Sequence, residues 1–287
     1  MKELGRLSAL LDIMEQGRLD TFFQPILQLG NGRTMGHEVL NRPPHSAQFP
    51  TTEHFYEFAG RTDQMFRFEH YCRRISLSRY MERLPDAESG TDRLVFINVH
   101  PGVLNDSRHK SGETLSLLQE LNLSPERVVF ELTERQAVQD YVGFEKVLSH
   151  YREQGFRIAV DDAGSGYNSL KTLVYLKPEF IKLDKSLIRG IHSNREQQEL
   201  LELISEYASR SATRVIAEGI ETERNCCTCR WPVLNSARAT RLEDPDTCLY
   251  RELFRRIRHN FPPEEATSMF LQIGEIAEQI PEISLHH

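Results

Sequence analysis

Short apolar segments alternate with longer segments of helical periodicity between about residues 94 and 219, and this alternation constrains the fold more than any other feature. The apolar segments are LVFINV, VVFELTE, FRIAVDD, FIKLD and TRVIAEG. A helix between two strands is the crossover that joins parallel strands. Because the strands are apolar almost throughout, both faces of the sheet should be covered. The sequence therefore predicts an α/β protein, built as a barrel or as a doubly wound sheet.

The chain before this alternation follows another pattern. Apolar residues recur at helical spacing from Leu4 to Met14, which predicts an amphipathic helix. Two strand-like segments follow at 22–29 and 33–40, and Asn31-Gly32 between them is a hairpin signal. We therefore expect the first two strands to be antiparallel. A long helical region is expected from about Thr51 to Leu84.

Composition excludes several classes of protein. The formal net charge of −7 argues against a surface that binds duplex nucleic acid or anionic membranes. No apolar run approaches the ~20 residues that span a bilayer, so we expect a cytoplasmic protein. Five cysteines are too few for a disulfide scaffold. Cys226, Cys227 and Cys229 lack a second ligand pair at the spacing of a zinc site.

Each predicted strand ends in a polar residue that could bind a metal ion or a phosphate. These residues are Glu38, Asn98, Glu131, Asp161, Asp162, Lys182 and Glu218. In a parallel barrel the carboxyl ends of the strands share one face, where the side chains would converge. Lys182 and Asp184 are two residues apart and are expected to point to the same side. Taken alone, any one of these acidic residues is more simply explained as a strand-end residue that is solvated or caps the next helix.

A group of five carboxylates requires positive charge, because the carboxylates raise one another's pKa values and destabilise the fold. An all-oxygen donor set favours Mg²⁺, Mn²⁺ or Ca²⁺ over Zn²⁺. Two such ions ~4 Å apart can activate a water molecule and stabilise the leaving oxygen of a phosphoryl displacement. Lys182 would add a fixed positive charge near the reacting groups.

The motifs along the chain resemble those of EAL domains. Glu38-Val39-Leu40-Asn41-Arg42 is similar to the ExLxR signature of that family, with Val39 in place of alanine. The other matching motifs follow in order: Gln24-Pro25-Ile26, Asn98, Glu131-Leu132-Thr133-Glu134, Asp161-Asp162-Ala163-Gly164-Ser165-Gly166-Tyr167, Lys182-Leu183-Asp184 and Ala217-Glu218-Gly219-Ile220-Glu221. The resemblance covers about Leu7 to Glu223. It implies a TIM-like (β/α)₈ barrel with one antiparallel strand, and metal-dependent hydrolysis of cyclic-di-GMP to linear pGpG in bacterial second-messenger signalling.

The resemblance also implies a role for each matching residue. The implied ligands of a two-metal site, holding Mg²⁺ or Mn²⁺, are Glu38, Asn98, Glu131, Asp161 and Asp162. Lys182 would hold the attacking water, and Glu218 would lie beside the metals and that water. The implied substrate-binding residues are Gln24, Leu40, Arg42 and Glu221. Glu134 would support the loop 161–169, a region that the resemblance also implies for a homodimer.

Two departures from the family pattern leave the function open. Ala163 replaces a phenylalanine that could pack the loop after the paired aspartates. The closing Gln-Gly-Tyr motif, whose glutamine helps to complete the metal site, is absent. The chain is therefore either an active phosphodiesterase or an EAL module that binds cyclic-di-GMP or a protein without hydrolysis. A Mg²⁺-dependent barrel enzyme acting on a carboxylate substrate fits the acidic residues but not the ExLxR match.

The sequence predicts a barrel domain over 1–247, of which 225–247 is atypical because it has neither helical nor strand periodicity. The expected last helix and strand are missing from that segment. Residues 248–287 are predicted as a C-terminal helical segment. The end of this segment, IGEIAEQIPEIS, loosely resembles the start of a CBS-type regulatory module.

We predict that the atypical segment is the family's last helix and strand translated in a shifted reading frame. When codons start two bases later, Asn225-Cys226-Cys227 can encode only Leu-Leu, and Ala237-Arg238-Ala239-Thr240 admits Gln-Gly-Tyr. The helical pattern that returns near Leu249 indicates a second, compensating shift. Sequencing the coding DNA tests this hypothesis. A shifted frame that does not spell Gln-Gly-Tyr opposite Ala237 to Thr240 would end it.

Overall fold

The computed structural model of the chain describes residues 2–28, 34–83, 93–100, 112–133, 141–164, 169–220 and 270–272. The chain divides into two compact units, one of 1–23, 38–132 and 142–157 and one of 24–37, 133–141 and 158–287. The described helices are α1 (Lys2–Glu15), α2 (Thr52–Gly60), α3 (Met65–Arg83), α4 (Glu113–Glu120), α5 (Tyr141–Glu153), α6 (Ser169–Leu176), α7 (Lys185–Ile188) and α8 (Arg195–Arg210). The described strands are β1 (Asp20–Leu27), β2 (Thr34–Arg42), β3 (Leu94–Asn98), β4 (Val128–Thr133), β5 (Arg157–Ala163), β6 (Phe180–Leu183), β7 (Arg214–Ala217) and β8 (Phe270–Gln272).

The strands are hydrogen-bonded neighbours in chain order from β1 to β8, and the sheet closes as a barrel. The pairs β3–β4, β5–β6, β6–β7 and β7–β8 are parallel. Strand β1 runs antiparallel to β8, with Ile26 opposite Gln272. The predicted barrel with one antiparallel strand is therefore confirmed, and the doubly wound alternative is wrong.

The first unit is organised around helices α1, α2 and α3. Their buried cluster comprises Leu10, Ile13, Met14, Leu19, Phe49, Phe55, Ala59 and Phe68. The predicted amphipathic helix α1 is confirmed by its buried apolar face. The helical region expected from Thr51 to Leu84 is present as two helices, because α2 ends at Gly60 and α3 begins at Met65. At this break the Thr62 hydroxyl donates to the Ala59 carbonyl and so competes with helical hydrogen bonding.

In the second unit the central strands are covered on both faces. All four residues of β6 are buried, as are the last three residues of β7, which confirms the interpretation of their apolar sequences. Strand β8 comes from Phe270–Gln272, inside the segment for which the sequence predicts a helix. The segment 225–247 lies outside the described residues, so the frame-shift hypothesis stays a prediction. No helix among the described residues is both long and apolar enough to cross a membrane.

Candidate metal centre

The residues of the ExLxR motif lie on strand β2, and their side chains point alternately to the two faces of that strand. Asn41 is buried and accepts a hydrogen bond from the Thr21 hydroxyl at 2.8 Å. Its amide nitrogen donates to the Ser76 hydroxyl on α3, also at 2.8 Å. Because side chains alternate along a strand, Glu38 lies on the opposite face from Asn41. The hydrogen bonds of Asn41 therefore fix the direction in which the Glu38 carboxylate points.

Strands β3 and β4 add two further predicted ligands in the same unit. Asn98 pairs with Glu131 across the parallel ladder, so both side chains lie on one face of the sheet. Glu131 is 1% exposed and Glu38 is 3% exposed. Carboxylate oxygens of these two residues lie within 4.8 Å of each other. Two buried carboxylates this close repel each other unless a cation or protons balance the charge.

Glu69 on α3 is a supporting residue that the sequence pattern did not reveal. The backbone N–H of His100, two residues after Asn98, donates to the Glu69 carboxylate at 3.3 Å. Burial raises the pKa of the Glu69 carboxyl to about 7, while Arg73 and the His100 N–H partly oppose this shift. Because Glu69 and Arg73 are four residues apart, their pattern is typical of an exposed ion pair on a helix. The contact to His100 holds the chain where it leaves Asn98.

In the second unit, a β-bulge turns two consecutive aspartates toward one side. Val160 pairs with Ile181 and Ala163 pairs with Leu183, so Asp161 and Asp162 together lie opposite the single residue Lys182. Asp162 has a φ of 55°, a left-handed conformation that aspartate adopts more readily than most residues. In a regular strand these neighbours would point to opposite faces, whereas here both present a carboxylate oxygen to one cluster.

Lys182 provides the positive charge of this cluster. Its side chain is 0% exposed, and its Nζ lies 3.0 Å from Asp161 Oδ1 and 3.3 Å from Glu218 Oε1. A buried ammonium group is costly unless carboxylates of good geometry surround it. The three residues therefore form a buried ionic triad across β5, β6 and the end of β7.

The carboxylates of Asp161, Asp162 and Glu218 can each offer one oxygen within 4.8 Å of the others. A hard divalent cation such as Mg²⁺, Mn²⁺ or Ca²⁺ prefers this set of oxygen donors. The residues that are present therefore fit the metal that the sequence predicted. Each unit brings its own predicted carboxylates together.

Asp184 does not share the direction of Lys182, and that expectation is wrong. Strand β6 ends at Leu183, and the Asp184 carboxylate caps helix α7 by accepting from the Ser186 N–H at 2.9 Å. Ala163, which replaces the family's phenylalanine, is buried, and its carbonyl accepts from the Asp184 N–H at 3.2 Å. The segment that follows the paired aspartates is thus anchored at Ala163 without an aromatic ring.

The other predicted residues differ in how they are presented. Gln24 is buried, whereas Leu40 and Arg42 on β2 are partly exposed. Glu134 and Glu221 lie outside the described residues, as do residues 165–168 of the predicted loop. The substrate-binding and loop-supporting roles of these residues stay predictions.

Comparison with known proteins identifies the class to which this fold and these motifs belong. The family model of the EAL domain matches residues 7–230, and the chain therefore belongs to the EAL domain family. Its fold is the TIM-like barrel of that family. The chain superposes on Klebsiella pneumoniae BlrP1, in a complex with calcium and cyclic-di-GMP, with a TM-score of 0.65 and 26% sequence identity. The superposition covers 74% of this chain and 51% of the BlrP1 chain.

Two curated relatives come from Pseudomonas aeruginosa. Cyclic di-GMP phosphodiesterase RocR is 26% identical over 228 residues, which cover 77% of this chain and 56% of RocR. Cyclic di-GMP phosphodiesterase PA2567 is 31% identical over 201 residues, which cover 70% of this chain and 34% of that protein. The chain thus spans between about a third and slightly over half of the length of these relatives.

Replacing Lys182 with methionine should destabilise the fold. Lys182→Met keeps most of the side-chain volume but leaves Asp161 and Glu218 buried without their cation, which costs about 3–5 kcal/mol in the free energy of unfolding. Urea denaturation followed by circular dichroism, with EDTA present, measures this loss.

The matched control is Lys146→Met on α5, where the lysine is exposed, and it should change stability by less than about 0.5 kcal/mol. Equal effects of the two substitutions would contradict the buried ionic triad.

Proposed function

We propose that this chain hydrolyses cyclic-di-GMP to linear pGpG with two divalent cations, Mg²⁺ or Mn²⁺. The observation that carries the proposal is the bulge at Asp161 and Asp162, which sets two carboxylates and Glu218 around one oxygen-lined position beside buried Lys182. Membership of the EAL family supports the same chemistry. The relatives RocR and PA2567 are both named as cyclic di-GMP phosphodiesterases.

The predicted ligands are assigned to two ions. Glu38, Asn98, Glu131 and Asp161 bind one ion, and Asp162 serves the second. Bound as a pair, such ions activate water and stabilise the leaving oxygen of a phosphodiester. BlrP1 has been crystallised with calcium and also with manganese, each time with cyclic-di-GMP. Magnesium or manganese is the proposed working ion, because both accept the near-octahedral geometry that a compact oxygen site offers.

Side chains of the protein are proposed to position the attacking water and to bind the phosphate. Lys182 Nζ, held by Asp161 and Glu218, places a fixed positive charge where it can position the attacking water. Glu218 keeps that ammonium group in place and can accept a hydrogen bond from the same water. Arg42 offers two parallel N–H donors to a phosphate, as guanidinium groups do.

The remaining substrate contacts are assigned to Gln24, Leu40 and Glu221, and the support of the loop 161–169 to Glu134. A homodimer through this loop region and a cytoplasmic location belong to the same proposal. The formal charge of −7 supports a small dianionic ligand bound through metal ions rather than duplex nucleic acid bound by a basic surface.

Hydrolysis should require Mg²⁺ or Mn²⁺ and should be inhibited by Ca²⁺, whose longer bonds and looser geometry would misplace the attacking water. The purified chain is incubated with cyclic-di-GMP and each metal or with excess EDTA, and pGpG is measured by liquid chromatography. Full hydrolysis in excess chelator would refute the two-metal mechanism. Metal-dependent binding of cyclic-di-GMP without any pGpG would instead identify a receptor.

The substitutions Glu38→Gln and Asp161→Asn should each lower kcat at least about 100-fold, because each removes a charged metal ligand. Their effects on stability should differ. Glu38→Gln relieves repulsion with Glu131 and should leave the melting temperature unchanged or raised. Asp161→Asn weakens the pairing of buried Lys182 and should destabilise the fold by roughly 1–3 kcal/mol.

The matched control is Glu199→Gln on the exposed surface of α8, which should leave both kcat and the melting temperature unchanged. Parallel thermal melts and kinetic assays compare the three variants. A large loss of stability in Glu38→Gln would show that Glu38 is structural and would contradict its role as a ligand.

A further inference from the structure

The short helix α7 lies directly against both segments that carry the carboxylates of the second unit. The Asp184 N–H donates to the Ala163 carbonyl at 3.2 Å, and the Glu218 N–H donates to the Leu183 carbonyl at 3.1 Å. The two residues that lead into α7 are therefore hydrogen-bonded to the chain beside Asp162 and to Glu218 itself. Any shift of α7 would move both segments.

Two glycines mark where α7 touches these segments. A Cβ atom placed on Gly164 would lie 2.3 Å from Leu187 Cδ1 and 3.1 Å from its Cγ. A Cβ atom on Gly219 would lie 2.5 Å from Lys185 Cβ and 3.1 Å from its Cα. Both glycines have a positive φ, 96° and 76° respectively. The backbone at each position is thus in close contact with α7, and a side chain at Gly219 has no room, whereas one at Gly164 would displace the end of the Leu187 side chain.

The two contacts differ in what α7 contributes. At Gly219 the contact atoms are the Cα and Cβ of Lys185, which nearly every amino acid possesses. At Gly164 the contact atoms belong to the end of the Leu187 side chain. Leu187 is only partly buried, so its packing on Gly164 is not explained by a place in the hydrophobic core. The identity of residue 187 therefore matters for the Gly164 contact alone.

The backbone next to this contact needs support. Asp162 is held at a φ of 55°, a left-handed conformation that is less favourable than the extended one for a residue with a side chain. Such a conformation persists only where the surroundings hold it. Ala163 is fixed by its ladder position opposite Leu183, and Gly164, which is largely exposed to solvent, is contacted by the end of the Leu187 side chain.

Helix α7 is itself anchored, so that it can hold a neighbouring segment. Asp184 caps its first turn. The side-chain amide of Gln197 on α8 donates to the Ser186 carbonyl at 2.9 Å and to the Arg189 carbonyl at 3.3 Å. These bonds satisfy carbonyl groups at the end of the helix that have no partner within it. Leu187 thus projects from a helix fixed at both ends.

From these contacts we infer that Leu187 is a positioning residue: by packing on Gly164 it holds the bulge that turns the Asp162 carboxylate toward Asp161 and Glu218. The inference rests on the proposed two-metal function, in which Asp162 serves the second ion. Leu187 does not touch the reacting groups. Its loss should weaken the binding of the ion served by Asp162 and leave the other ion nearly unaffected.

Direct manganese binding tests this inference without relying on turnover. The free Mn²⁺ signal in electron paramagnetic resonance is titrated against the full chain and its Leu187→Ala variant. The wild-type chain should bind two ions. In Leu187→Ala the affinity for one of them should fall at least about tenfold, as is usual when a residue supporting a metal ligand is removed, and Leu187→Met should restore it because it refills the volume.

Ile188→Ala is the matched structural control, because Ile188 is fully buried on the same helix. It should lower the melting temperature more than Leu187→Ala does, with no selective loss of one manganese ion. Wild-type affinity for both ions in Leu187→Ala, or the same selective loss in Ile188→Ala, would overturn the inference while leaving the proposed function intact. A wild-type chain that binds no manganese would overturn the proposed function and this inference together.

A double-mutant cycle gives a second measurement that does not need metal. Gly164→Ala should destabilise the wild-type chain through both its φ and its clash with Leu187. The Leu187→Ala variant lacks this clash, so Gly164→Ala should lower its melting temperature less than it lowers that of the wild-type chain. Strict additivity of the two substitutions would show that Leu187 does not press on the Gly164 backbone.

Discussion

The buried ammonium group of Lys182 is the interaction on which the second unit depends. Its charge lies out of contact with solvent, so it is tolerable only while Asp161 and Glu218 remain at 3.0 and 3.3 Å. These carboxylates belong to the strand before β6 and to the end of the strand after it. One side chain therefore ties three neighbouring strand ends together by charge, in addition to the hydrogen bonds of the ladder. Such rigidity is what a metal site needs from its supporting strands.

The β-bulge converts this structural triad into a chemically useful group. In a regular ladder Asp161 would face Lys182 and Asp162 would point away from it. The extra residue in β5 and the left-handed φ of Asp162 bring the second carboxylate to the same side. The local strain is retained because ladder pairs at Val160 and Ala163 hold the bulge from both sides, and the end of the Leu187 side chain packs on Gly164 just after it. Sequence alone cannot reveal this, since Asp161-Asp162 fits a regular strand end equally well.

The sequence predicted most of the fold because its strands and helices obey local rules. Apolar runs became β3 to β7, and helical periodicity located α1, α5 and α8 within a few residues. Local rules do not predict which partner a side chain takes when two are available. Asp184 lies two residues after Lys182 and was expected to share its direction, yet it caps α7. Glu69 shows the spacing of an exposed ion pair, yet its carboxylate accepts from the His100 backbone. Strand β8 comes from a segment without strand periodicity, so only its pairing with β1 and β7 identifies it.

The carboxylates within each unit give a physical argument for the proposed pair of ions. In the second unit Asp161 and Glu218 contact the ammonium group of Lys182, and Asp162 offers a further carboxylate oxygen within 4.8 Å of theirs. In the first unit the carboxylates of Glu38 and Glu131 are buried and lie within 4.8 Å of each other. A divalent cation bound at such a group of carboxylates would offset more negative charge than sodium or potassium would. Without such ions the carboxylates must take up protons or repel one another. In the proposed function, divalent cations would relieve this repulsion, so the free energy that it costs the metal-free fold would add to the free energy of their binding.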